Sequence, residues 1–400
     1  MSDIFEVKLT SLPNEDLVRG FPGITASWPR IEGTVEIRPK TLSISSLLIS
    51  SVKVTLFRTD SIHPPSNKTG INAPRKEQSY MVGQEQSIFK VSAGRSYEEV
   101  LALDLPFIIS LPIQKNLPAS ISVSKGLTSA IVETTYRLYV SISYGKQLSV
   151  HHQSFPIRIK PYHTLTIFGS FHIPVSKTVR SSDHLVTLDY SVNHTALGPG
   201  DTIMAVVKVS PNPDWAKSRK VKLVRLTMQI QEVITFSHEG DEPVEKRSKI
   251  CKVSKQLDMK LPESGHLEEL FLEYQPIQEN VDKNGLVPKE RQDVPNISRY
   301  GFTTSSALYQ IDYLLVIKAR FTHAKDIEVE QPIVACPFDN ATSMSFTASI
   351  SEAVKYANRA NRSAVPSSRI YKPTDAMAVE MLNRKVNTYS GKASLSIKVK

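Results

Sequence analysis

Cysteine is scarce in this 400-residue sequence: Cys251 and Cys336 are the only two. Two thiols cannot complete a tetrahedral zinc site by themselves, and a disulfide-stapled secreted fold needs more of them. Free thiols in a reducing compartment are therefore expected. Long apolar runs are also missing. The longest, "LDLPFIISLPI" and "YLLVI", fall well short of the roughly 20 residues that a bilayer-spanning helix requires. The opening residues have neither the basic start nor the apolar block of a secretory signal, and position 2 is not a myristoylation glycine.

The residue patterns of common catalytic sites are absent as well. There is no P-loop, no G-x-G-x-x-G, no H-E-x-x-H and no G-x-S-x-G elbow. His151 and His152 are neighbours, but on a strand adjacent side chains point to opposite faces and cannot share a metal. Ser181, Ser182, Asp183 and His184 are triad residue types without an elbow around them. The acidic run "EGDEPVE" (239–245) lacks the ligand order of a calcium loop and reads as a solvated hairpin tip. No enzyme, metal or cofactor is expected.

The apolar share of 40% and the charged share of 22% are those of a folded globular chain. Its net charge is +10, which suits an anionic partner. Nucleic-acid modules are not recognisable: no RNP strand, Cys/His finger or basic zipper occurs. An acidic lipid surface or an acidic protein segment fits better. The basic residues are spread along strands, with one local concentration in "KSRKVKLVR" (217–225). Lys217, Arg219, Lys220, Lys222 and Arg225 form the candidate patch for an anionic partner. Two apolar neighbours, Leu223 and Val224, break the alternation there and predict a β-bulge, which would turn Lys222 and Arg225 to the wet face.

Alternation dominates what remains. In "YRLYVSI" (136–142) Tyr136, Leu138, Val140 and Ile142 share one face, and Tyr309, Ile311, Tyr313, Leu315 and Ile317 repeat the pattern in "YQIDYLLVI" (309–317). The neighbours repeat too. "IEGTVEIR" then "VKVTLFR" in the first half are answered by "GPGDTIMAVVKV" then "VKLVRLTMQI" in the second. Each half has a Leu-Pro stretch and ends on a Pro-Ile strand, "FPIRI" (155–159) and "QPIVAC" (331–336). Gly33 and Gly200, Tyr136 and Tyr309, and Pro156 and Pro332 keep their order at a nearly constant offset. The chain thus contains the same unit twice, at a period too long for a solenoid or a propeller blade.

About seven strand-like runs per copy, punctuated by Pro, Gly, Asn, Asp and Ser, predict two tandem antiparallel β-sandwiches of immunoglobulin-like type. The expected division is 1–162, 163–345, and a tail over 346–400 with short helices. Residues 61–87 and 276–301 read as long polar insertions. "SEAVKYANRANR" (351–362) and the segment from Thr374–Asp375 onward are the helix candidates.

"RIEGTVEIR", "LPFIISLPIQKNLPASI", a Tyr-rich strand ending in "FPI", and "LGPGDTIMAVVKVSPN" before "VKLVRLTMQIQEV" together resemble the arrestin fold, over roughly residues 4–340. The similarity points to the fungal alpha-arrestins, the arrestin-related trafficking adaptors. It implies a cytoplasmic adaptor, peripheral to the plasma membrane or endosomes, that binds the cytoplasmic tails of transporters or receptors. It also implies a link to ubiquitin-dependent endocytosis or endosomal sorting through a WW-domain ubiquitin ligase. Such a ligase reads Pro-Pro-x-Tyr, and this sequence has only "HPPSN" (63–67) and "KPYH" (160–163), so recruitment would have to be indirect. The alternative is an arrestin-fold coat or complex subunit of vesicle traffic without ligase recruitment.

Overall fold

The computed structural model describes residues 4–11, 16–40, 46–63, 75–112, 117–124, 130–237, 242–276, 301–362 and 364–376. Seven long strands build the first sandwich: β1 (Phe5–Thr10), β2 (Arg30–Pro39), β3 (Leu47–Ile62), β4 (Lys76–Lys90), β5 (Ala102–Ser110), β6 (Ala130–Tyr144) and β7 (Ser149–Ile157). Seven more build the second: β8 (Val186–Val192), β9 (Thr202–Pro211), β10 (Lys222–Phe236), β11 (Val244–Lys260), β12 (His266–Glu273), β13 (Tyr309–Thr322) and β14 (Ile327–Ala335).

Each sandwich has one sheet in the order β1-β2-β5 or β8-β9-β12, the latter extended on the far side of β8 by the strand Val175–Arg180, and a second in the order β7-β6-β3-β4 or β14-β13-β10-β11. Every strand of the first copy thus has a counterpart seven places later, the topological form of the duplicated sequence. All these ladders are antiparallel. The parallel pair among the described residues is the short Ala196–Leu197 strand on β14.

The alternation of apolar side chains translates directly into burial. Leu138, Val140 and Ile142 of β6, and Ile311, Leu315 and Ile317 of β13, are fully buried between their sheets. Tyr136 and Tyr313 are buried with them. The ladders also correct the pairing of the two copies. Pro156 lies opposite Arg137, and Pro332 lies opposite Leu314. The repeat therefore matches Tyr136 with Tyr313, two pleats beyond Tyr309. Both prolines sit where their missing N–H costs no ladder bond: β7 is an edge strand, and Pro332 lies short of the parallel pairing at Val334.

Other readings shift. The stretch 61–87 is mostly strand, because β3 runs to Ile62 and β4 starts at Lys76. β4 is a polar edge strand with most side chains solvated, so it carries almost no apolar periodicity. Gly33 lies inside β2. A Cβ there would meet Leu17 and the Thr10 carbonyl, so the position is kept bare by close packing. Residues 277–300, the bulk of the second insertion, lie outside the described residues, as does most of the second helix candidate. The helix that is described, α1 (Asn340–Arg359), starts well before the periodic stretch at 351.

Two devices fix that start. Asp339 caps α1 by accepting from the Thr342 N–H at 2.6 Å. Asp201, of the Pro-Gly-Asp turn, accepts from Gly198 N–H at 2.8 Å and from Asn340 N–H at 3.0 Å. Gly200 has φ +85°, its N–H bonds the Tyr274 carbonyl, and Tyr274 N–H bonds the Asp201 carbonyl. That is a glycine bulge at the mouth of β9.

From there α1 crosses to the first sandwich. Phe346 packs edge-on to Tyr162 and Phe338, and Tyr356 stacks over Trp28 with the Arg30 guanidinium 4.2 Å from the Trp28 ring. Beyond α1 the chain adds a short strand, Arg369–Tyr371, to the outer edge of β5. The two cores are continuous, since Ile62, Ala119, Ile121, Val123 and Val132 of the first sandwich pack into the core of the second.

Candidate binding surfaces

The loop between β9 and β10, "PNPDWAKSRKV" (211–221), lies at one end of the second sandwich, together with the β13–β14 hairpin and the β11–β12 turn. Register places Lys222 opposite both Lys260 and Thr322. The far end of β10 is Phe236, opposite Tyr309 at the domain interface. Fourteen steps along a strand separate the two ends by about 45 Å. This loop is thus the tip of the molecule on that side.

Its shape follows from prolines and one serine. Pro211 and Pro213 forbid continued ladder pairing, and Ala216–Lys220 closes into a 3-10 turn. Ser218 is buried and donates to the Asn212 and Trp215 carbonyls, both at 2.7 Å, so the turn is pinned from inside. With Ser218 inward, Lys217, Arg219 and Lys220 point to solvent, and Trp215 stands 50% exposed beside them.

Three of the five patch residues therefore sit on a turn, where the sequence suggested a strand entrance. Lys222 is exposed at the first position of β10. The ladder shifts register between Leu223 and Arg225, which is the predicted bulge. Arg225 is half-buried and donates to Gln256 at 2.8 Å, so it is the least available of the five. Arg219 faces Glu263 at 3.8 Å. Among the described residues Lys217, Lys220 and Lys222 have no acidic partner, so three unpaired cations share this end of the sandwich with the exposed Trp215.

Chain reading did not find Trp215. Its signal, an aromatic between two prolines and a lysine run, fits either a small loop core or an exposed anchor, and only burial separates the two. A second arrangement was also missed. Arg58 and Asp60 lie on the core-facing side of β3, and Asp60 is 0% exposed. Arg58 meets Asp60 at 3.1 Å, Thr134 donates to Asp60 at 2.8 Å, and the Tyr309 hydroxyl meets Thr134 at 2.6 Å. Burial pushes the Asp60 carboxyl above its ordinary range, against the opposing pull of Arg58. This polar chain ties β3 and β6 of one sandwich to β13 of the other.

The histidines and triad types have structural settings. His152 bonds Ser141 at 2.9 Å, and His151 packs edge-on to Phe5. Asp183 accepts from Ser181 at 2.6 Å and from the Lys325 N–H at 2.7 Å, closing a turn. Among the described residues no group of three His, Cys, Asp or Glu is placed to hold a metal, and no helix is long and apolar enough to cross a membrane.

The fold is arrestin-like: two tandem sandwiches of repeated topology joined through a continuous core. Residues 182–337 match the family described as arrestin (or S-antigen), C-terminal domain. That span holds β8–β14, the second sandwich. A search of curated proteins gave no match.

Proposed function

We propose that this protein is an arrestin-like trafficking adaptor that rests on an anionic membrane surface through the tip at Trp215, Lys217, Arg219, Lys220 and Lys222. It would hold the cytoplasmic tail of a transporter or receptor for ubiquitin-dependent endocytosis or endosomal sorting. The observation that carries the membrane half is an exposed indole on the same turn as Lys217 and Lys220, with Lys222 at its end, none of the three lysines having an acidic partner among the described residues. Tryptophan favours the headgroup level of a bilayer, and each Lys or Arg near an anionic surface contributes about 1 kcal/mol. That attraction fades over a Debye length of roughly 8 Å at physiological salt.

The test is co-sedimentation with phosphatidylserine vesicles, comparing the wild type with a variant in which Lys217, Arg219, Lys220 and Lys222 are all Gln. At low salt the variant is expected to lose at least tenfold in affinity, and the difference should shrink at physiological salt. Equal binding by both proteins at both salt levels would reduce the tip to ordinary solvated surface.

The absence of Pro-Pro-x-Tyr favours a second reading, a coat or complex subunit in vesicle traffic that recruits no ligase. Proximity labelling with the full chain separates the two: a WW-domain ubiquitin ligase among the neighbours supports the first, coat subunits alone the second.

A further inference from the structure

The outer edge of β12 in the second sandwich is left open among the described residues, whereas its counterpart, the outer edge of β5, is covered by the chain's own Arg369–Tyr371. We propose that the β12 edge is a strand-addition site for an extended peptide in which apolar and basic side chains alternate along one face.

The backbone of β12 is arranged for it. Tyr274 N–H bonds the Asp201 carbonyl, so Tyr274 faces β9. The β9–β12 ladder then runs without a register shift. Antiparallel hydrogen bonding alternates along a strand, so Leu272, Leu270 and Glu268 also face β9. The free N–H and C=O groups belong to Leu267, Glu269, Phe271 and Glu273. These same four residues carry the exposed side chains: Leu267 is 60% exposed, Phe271 is 54% exposed, and both glutamates are solvated. Neither Glu269 nor Glu273 has a basic partner among the described residues.

An exposed edge strand with two large apolar side chains is a feature that proteins ordinarily blunt with Lys, Pro or a bulge. β12 has none of the three. Met204 and Val206 of β9 stand beside Phe271 and Glu269, so the apolar strip is two strands wide.

The molecule shows what such an edge accepts. On β5 the added strand is antiparallel and runs Arg-Ile-Tyr. Arg369 lies opposite Asp104, Tyr371 donates to Asp104 at 2.7 Å, and Lys372 pairs with Glu98 at 2.8 Å. Basic and apolar side chains thus occupy an acidic edge. β12 offers the same chemistry over twice the length, with carboxylates at every fourth position and apolar groups between. The complementary strand would place Lys or Arg opposite Glu273 and Glu269, and apolar side chains opposite Phe271 and Leu267, where cross-strand neighbours interact. A second copy of this chain pairing through β12 would set glutamate near glutamate, so the occupant is a foreign segment. Cytoplasmic tails next to a membrane span are enriched in Lys and Arg. The adaptor reading enters only here, as the source of such a segment.

The probe is a fluorescently labelled peptide, Lys-Thr-Leu-Thr-Lys-Thr-Leu, followed by anisotropy against the full chain. Two controls replace its lysines by glutamates, or N-methylate its Lys and Leu residues. The lysine peptide should bind, the N-methylated one should not, and a Glu269→Lys/Glu273→Lys variant should bind the lysine peptide at least tenfold more weakly. The same variant should gain affinity for the glutamate peptide, a rescue that a misfolded protein cannot show. Equal binding of lysine and glutamate peptides to the wild type would overturn the proposal. So would unchanged affinity in the variant, or a wild-type dimer in sedimentation velocity that the variant abolishes. The vesicle assay reads the Trp215 tip, which β12 does not contribute to, so failure of one leaves the other standing.

Discussion

Replacing Arg58 with Met should loosen the junction between the two sandwiches in a pH-dependent way. The substitution keeps most of the apolar stem and removes the charge that faces Asp60 at 3.1 Å. Asp60 is fully buried, so it must then either stay charged without a counter-ion or take up a proton. Taking the proton sets the ceiling on the loss. A carboxyl with an ordinary value of 3.8 costs about 4 kcal/mol to protonate at pH 7 and roughly 1.6 kcal/mol at pH 5.

The sign follows from burial, which already raises the Asp60 carboxyl and would raise it further without Arg58. The folded state then holds a proton at pH values where the unfolded state has released it, so stability falls as pH rises above the unfolded value. The variant should melt roughly 8–16 °C below the wild type at pH 7, from about 4 kcal/mol on a sandwich-sized unit, and much closer to it at pH 5. Arg58→Met combined with Asp60→Asn should recover much of the loss and flatten the pH dependence. Differential scanning calorimetry at the two pH values reads all three proteins. A single variant that loses the same at pH 5 and pH 7, or a double variant no better than the single, would refute the reasoning.

Leu138→Asp places a charge on the fully buried face of β6 and should cost roughly 4 kcal/mol, measured by chemical denaturation; an unchanged midpoint would mean that the face is wrongly assigned. Gly198→Ala would set a Cβ 1.8 Å from the Phe338 carbonyl, so the chain before α1 must move away and give up the Asp201 contact to Asn340. Hydrogen exchange should show α1 opening faster in that variant, while β10 and β13 keep their protection.

The repeated topology was legible because period-2 burial is a one-dimensional signal: Leu138 and Ile311 announce their faces without knowledge of their partners. The bulge at Leu223–Arg225 was legible for the same reason, as a slip in the period. β4 was not, since an edge strand solvated on most of its side chains leaves little apolar pattern to read. Arg58 and Asp60 did leave a trace, as charges in register with the buried Val54, Leu56 and Ile62. Nothing local says whether such charges are paired inside or have turned the strand outward; that depends on Thr134 and Tyr309, far along the chain. The lysines of 217–222 stand out by composition, but the exposure of Trp215 needed the buried Ser218 to show which way the turn faces.

The strand Arg369–Tyr371 also has a bearing on the order in which the protein is made. Tyr371 and Asp104 are 267 residues apart in the chain. At a synthesis rate of about 5–20 residues per second, β5 leaves the ribosome roughly 15–50 s before the segment that will cover its edge. Throughout that interval the first sandwich can fold, but one flank stays bare to any extended chain nearby. The nascent protein is therefore exposed to mispairing at β5 for that interval alone, and a chaperone that delays contact there would protect it until the last strand arrives.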